Sequence, residues 1–165
     1  RLNEEPYSPK ADDADEPLLD SNGACFVTLK IDGQLRGCIG SLVAHRPLLQ
    51  DVADNACSAA FRDPRFGPLS AAELEQVVIS ISVLSEPEPM RFHSEADLLK
   101  QIRPGVDGLI LQDGPCRGTF LPAVWESLPQ PEQFLTELKR KAGLPANHWS
   151  DSLEMARYTS FYFGE

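Results

Sequence analysis

The stretch from Cys25 to Ser41, CFVTLKIDGQLRGCIGS, decides how the chain is read. Asp32-Gly33 predicts a two-residue hairpin, because a type I′ turn needs positive φ and Gly supplies it without steric cost. On one side, Phe26, Thr28 and Lys30 alternate with Val27, Leu29 and Ile31, residue types that suit a half-buried pleated surface. On the other side runs Leu35-Arg36-Gly37-Cys38-Ile39-Gly40. A thiol between two glycines at a strand end suggests chemistry, since Gly admits close approach of a ligand or a second backbone.

The stretch has an echo. Asp32, Gly33, Arg36 and Gly37 recur 81 positions later as Asp113, Gly114, Arg117 and Gly118, and Cys38 falls on Thr119. The same offset sets the strand-like Val77–Leu84 against Tyr158–Glu165. This predicts an internal duplication, with related halves at about 23–85 and 106–165.

Working outward, residues 1–22 read as an acidic, extended lead-in and 23–165 as the folded domain. The first 20 residues carry seven acids against Arg1 and Lys10, half of the net charge of −10. Such a balance does not favour nucleic acid, whose binders carry basic stripes. With 42% apolar residues the chain can build a core. It contains no membrane-length apolar run and no signal-peptide pattern, so a cytoplasmic location is expected.

Helices are expected after His45-Arg46-Pro47, from the capping box Ser70-Ala-Ala-Glu73, after Ser94, at Pro122 and from Pro131. Phe134, Leu135, Leu138 and Ala142 should face inward. Lys139-Arg140-Lys141 reads as a solvated helix end favoured by the dipole, with Gly143 at C′. Val77–Leu84 reads as a central strand with Val77, Ile79, Ile81 and Val83 toward the core, and Met155–Phe163 as the last strand. Pro115 argues for an edge position.

Cys38 is the candidate nucleophile, helped by nearby Arg36; the competing reading is a small buried hydrophobe. His45 is a weaker candidate base across the following loop. Arg62 and Arg65, in Phe61-Arg62-Asp63-Pro64-Arg65-Phe66, could hold a carboxylate or phosphate in forked hydrogen bonds. Equally, an arginine there could pair with Asp63 and fix the loop. The four cysteines show no C-x-x-C pair, and no histidine or carboxylate motif argues for a metal or cofactor.

Leu35–Gly40 and Ala60–Phe66 resemble the signature motifs of the AMMECR family, the "A" component of the AmmeMemoRadiSam system. The resemblance extends through Val77–Leu84, Pro104–Gly108, Thr119–Pro122, Trp125 and Lys139–Leu144. It implies an α+β fold with two related halves. It also implies a Memo-like protein and a radical S-adenosylmethionine protein as partners, without supplying a reaction. Two functions stay open. One is a cysteine-dependent enzyme or modification factor, with Arg36, Gly37, Gly40, Arg62 and Arg65 around a small anionic substrate. The other is a non-catalytic partner-binding module with an exposed apolar patch.

Overall fold

In the computed structural model Asp32 and Gly33 take φ of 50° and 76°. They close a hairpin between β1 (Asn22–Ile31) and β2 (Gln34–Gly40). The structure describes residues 16–164. Most of the predicted lead-in lies outside them, but Glu16–Leu19 forms a short helix, α1, where an extended chain with little regular structure is expected.

The chain forms two units, one reaching Ser85 and taken up again from Phe161, the other spanning Glu86–Ser160. The first holds a sheet in the order β2-β1-β4-β9, with β4 at Val78–Leu84 and β9 at Ser160–Phe163. A two-residue strand, β3 (Arg46–Pro47), pairs antiparallel with the start of β1 at Asn22 and Gly23. Helix α2 (Leu48–Phe61) packs on this sheet. Pro47 is its N-cap, with φ −50° and ψ 137°, so the helix starts one residue later than expected. The core gathers Cys25, Val27 and Leu29 of β1 against Leu48, Ala59, Ala60 and Leu69. A Cβ on Gly37 would stand 2.2 Å from the Ala59 carbonyl oxygen, so α2 lies directly on the β2 backbone. The capping box at Ser70 forms as predicted and opens α3 (Ala71–Leu74).

The second unit carries a sheet in the order β5-β8-β6-β7. Its strands are β5 (Glu88–Met90), β6 (Gly108–Asp113), β7 (Cys116–Phe120) and β8 (Glu154–Tyr158). Leu109 and Leu111 meet Leu98 of α4 (Glu95–Gln101) and Phe134, Leu135 and Leu138 of α5 (Pro131–Lys141). Trp125, in a 3-10 turn opened by Pro122, stacks on Phe134 with centroids 3.8 Å apart. Its indole N–H donates to the Asp107 carbonyl at 2.7 Å, so the buried polar tip of the ring is satisfied. β7 is an edge strand, as Pro115 requires.

Three expectations are corrected. Residues 155–163 are not one strand: β8 pairs with β5 and β6, then the chain breaks at Thr159 and β9 joins the other unit's sheet. Ile79 is 49% exposed rather than inward, and Ser80 is buried on the opposite face of β4. Lys139 is buried, its ammonium donating to Glu95 Oε2 at 2.7 Å, so the basic triplet is not uniformly solvated.

The two hairpins differ in detail. In the first, Ile31 pairs with Gln34 and the register shifts between Leu29 and Lys30, leaving Arg36 as the extra residue of a bulge. In the second, Asp113 pairs with Cys116 around Gly114-Pro115, and no shift follows down to Leu109 opposite Phe120.

Candidate thiol site on the LRGCIG strand

Cys38 lies opposite Thr28 in the β1–β2 ladder. Its backbone polar groups point away from β1. The N–H donates to Asp63 Oδ2 at 2.9 Å, and the carbonyl accepts from Arg65 Nη2 at 3.3 Å. A pair of this kind brings its side chains close together. Thr28 Oγ1 accordingly donates to the Cys38 sulfur at 3.3 Å. The thiol is half-buried.

Asp63 is nearly inaccessible and carries the local architecture. Arg65 donates to it from Nε at 2.9 Å, from Nη2 at 2.7 Å and from its backbone N–H at 3.0 Å. Hydrogen bonds from Arg65, then from the Cys38 and Arg65 backbones, outweigh burial and hold the Asp63 carboxyl far below the usual carboxylate range. Arg65 thus makes the loop-fixing pair that sequence left as one of two options.

Arg36 is engaged elsewhere. Its guanidinium forks onto Glu73, Nε to Oε1 at 2.8 Å and Nη2 to Oε2 at 3.2 Å, and also reaches the Pro68 carbonyl at 3.3 Å. Arg36 and Arg65 both stand near the Phe66 ring, 5.8 Å and 5.5 Å from its centroid. Arg62 ends α2, exposed, with no side-chain partner among the described residues. His45 is exposed, its Nδ1 2.9 Å from the Val43 carbonyl, and no contact joins it to Cys38 among the described residues. The space beside Gly37 is taken by Ala59, and a Cβ on Gly40 would strike the Phe26 ring at 2.3 Å. The site therefore assembles Cys38, Thr28, Asp63 and Arg65, with Arg36 two residues along the strand, on Glu73.

Glu73 gives the unit a pH signature. The Arg36 fork, then the bonds from Ser70, lower its carboxyl to about 2. A carboxylate whose folded value is depressed contributes stability that is complete above its unfolded range and is lost as pH falls toward the folded value. Asp63 acts in the same direction. The urea midpoint of the first unit should therefore be flat above about pH 5 and fall between roughly pH 4 and 2. Glu73→Gln should flatten part of that fall; an unchanged acid limb in this variant would refute the assignment.

Sequence reasoning missed a second polar cluster behind β1. Asp51, fully buried on α2, accepts from the Cys25 N–H at 3.0 Å, Ser41 Oγ at 2.7 Å, Arg46 Nε at 2.8 Å and Asn55 Nδ2 at 2.9 Å. Burial pushes its carboxyl up, but the bonds from Ser41, Arg46 and Cys25 together bring it below the ordinary value. The Cys25 thiol, by contrast, is raised to about 12, chiefly by burial, and stays protonated. The signal was present: Leu48, Asp51, Asn55 and Ala59 recur at helical spacing, placing two polar residues on the buried stripe.

In the second unit, Thr119 donates to the Leu109 carbonyl at 2.9 Å and lies 3.0 Å from the Tyr158 hydroxyl. A Ser-His-Asp grouping also occurs there. Asp113 receives His148 Nε2 at 2.5 Å, Ser150 Oγ at 2.5 Å and Ser152 Oγ at 2.6 Å. Both hydroxyls donate to the carboxylate rather than to the imidazole, so no nucleophile is activated. Bonds from Ser150, Ser152 and His148 lower the Asp113 carboxyl to about 2. Among the described residues no three His, Cys, Asp or Glu side chains converge as a metal site. None of the described helices is long and apolar enough to cross a membrane.

The AMMECR1 family pattern matches residues 2–163. The chain belongs to the AMMECR1 family. An AMMECR1 relative from Methanothermobacter thermautotrophicus is 44% identical over 131 residues, covering 76% of this chain and 66% of that protein. One from Thermotoga maritima is 42% identical over 146 residues, covering 87% and 79%. The chain thus spans about two thirds of the archaeal relative and more of the bacterial one. The crystal structure of the uncharacterised protein PH0010 from Pyrococcus horikoshii superposes with a TM-score of 0.85 at 32% identity, over 96% of this chain and 81% of that one. The α+β fold implied by the motifs is that of the AMMECR1 family.

Proposed function

We propose that Cys38 is the reactive group of a site for a small anionic molecule, and that Arg65 and Arg62 supply its positive charge. The observation that carries this reading is the hydroxyl bond from Thr28 to the Cys38 sulfur at 3.3 Å, on a residue whose carbonyl is already held by Arg65. The hydroxyl and the guanidinium set a hydrogen-bond donor and a positive charge beside the sulfur, where an anionic molecule would meet it. Arg65 spends Nε and Nη2 on Asp63, leaving Nη1 for a ligand, while Arg62 has no side-chain partner among the described residues. Arg36, paired with Glu73, serves this site by shaping the bulge that presents Cys38. A base for the thiol would come from the substrate or from solvent, and His45 would need to move to serve.

The AMMECR resemblance, which implies a Memo-like and a radical S-adenosylmethionine protein as neighbours, supports a role as a modification factor beside such partners. The test is thiol labelling of the native protein followed by peptide mass analysis. Iodoacetamide near neutral pH should modify Cys38 at least tenfold faster than Cys25, and inorganic phosphate or a small dicarboxylate should slow Cys38 selectively. Arg65→Met should abolish that protection. A Cys38 labelled no faster than Cys57, and insensitive to anions, would remove the reading.

A further inference from the structure

We propose that the β9 edges of two copies of this chain pair with each other, joining the sheets of their first units across a twofold axis. The inference is independent of the thiol site. β9 is the last strand in the order β2-β1-β4-β9, so its outer side carries no neighbour among the described strands. Its sequence, Ser160-Phe-Tyr-Phe163, has no charge and no proline. Natural edges are normally blunted by such features. Here Phe161, Tyr162 and Phe163 are instead 63%, 58% and 58% exposed. Val78 and Ile79 on the adjacent strand β4 are 40% and 49% exposed.

Successive strand residues point to opposite faces, so these side chains flank the edge on both sides. That arrangement suits an added strand rather than a flat docking partner. A second copy of β9 is the fitting strand. Paired antiparallel with itself, it sets aromatic residues against aromatic residues, the favourable cross-strand combination. The segment brings no like charges together, although each chain carries −10 overall. Taking about 150–250 Å² per aromatic residue, the exposed apolar surface comes to roughly 500 Å² per copy. Two copies then reach about 1,000 Å², the lower bound of a specific interface and the range of weak, concentration-dependent association.

Sedimentation velocity over a concentration series tests this. The wild-type chain should move from one-chain to two-chain mass as concentration rises. Added salt should strengthen the pairing by screening the remaining acidic surface. The double variant Phe161→Lys/Phe163→Lys should associate at least tenfold more weakly. Hydrogen exchange on the wild type provides a second measurement that does not depend on the variant folding: amides of 160–163 should gain protection in the concentrated sample. A chain that stays at one-chain mass throughout overturns the proposal and leaves the edge to a foreign strand. So does a dimer that forms without protecting 160–163, or one that the double lysine variant leaves intact.

Discussion

Asp51→Ala should cost the first unit about 3–5 kcal/mol, the range for breaking a buried charged network by removing one partner. The carboxylate is fully buried and accepts from the backbone and thiol of Cys25 and from Ser41, Arg46 and Asn55. Alanine takes this acceptor from the Cys25 N–H, Ser41 and Arg46 Nε, while Asn55 keeps the Cys25 carbonyl at 3.1 Å, and an unsatisfied buried donor costs about 1–3 kcal/mol by itself. The donors are neighbours, so their losses do not simply add. In a chain of this size the melting temperature should fall by about 10 °C or more. Asp54 supplies the control. It is partly exposed and among the described residues pairs with Arg46, so Asp54→Ala should cost under about 1 kcal/mol. Thermal denaturation of both variants, followed by far-UV circular dichroism, decides the matter. Equal melting temperatures for the two would mean that the cluster is not what ties α2 to β1.

Gly37→Ala is the second large effect. The added carbon would lie 2.2 Å from the Ala59 carbonyl oxygen and 3.0 Å from its carbonyl carbon. Both are backbone atoms inside α2, so no rotamer change relieves the clash. Either the helix lifts from the sheet or β2 shifts outward. Overpacking of this kind costs about 1–3 kcal/mol, and a backbone clash belongs at the upper end. The movement also reaches the thiol, because Cys38 is the next residue. The expected result is a loss of about 3 kcal/mol in urea denaturation together with an altered Cys38 labelling rate. Gly33→Ala, at a positive φ in an open turn, should lower stability without touching that rate. A Gly37→Ala protein as stable as wild type would show that α2 does not press on the strand.

Much of the fold could be read from local chemistry. The Asp32-Gly33 turn, the Ser70 capping box, the inward face of α5 and the edge position set by Pro115 each follow from one residue type with a restricted conformation or missing donor. The failures have physical causes too. The run through Met155–Phe163 has no Gly or Pro at Thr159, so nothing marks the passage from one sheet to the other. Lys139 was read by its charge, although its spacing from Leu135 and Leu138 puts it on the buried stripe of α5. Cys38 and its arginines were visible as a motif. Their sorting was not, because only the folded chain shows Arg36 committed to Glu73 and Arg65 to Asp63. For the two halves, we propose a duplication in which the Arg36 bulge absorbs one residue of drift. The first strands then correspond at one position more than the second strands. Superposing Leu29 and Gly37 on Leu111 and Gly118 is the measurement that checks it.

The side chains of Asp63 and Arg65 do something further for the sheet. At Cys38 they take up the outward N–H and carbonyl of β2, the positions an incoming strand would need. One flank of this sheet is therefore sealed by a carboxylate and a guanidinium acting as a stub of false strand. The opposite flank ends at β9, with no further strand among the described residues. A sheet sticky on both flanks would polymerise head to tail into a cross-β filament. With a single sticky flank, growth by strand addition stops at two copies. The same two residues that hold the thiol in place also act as a chain terminator for assembly.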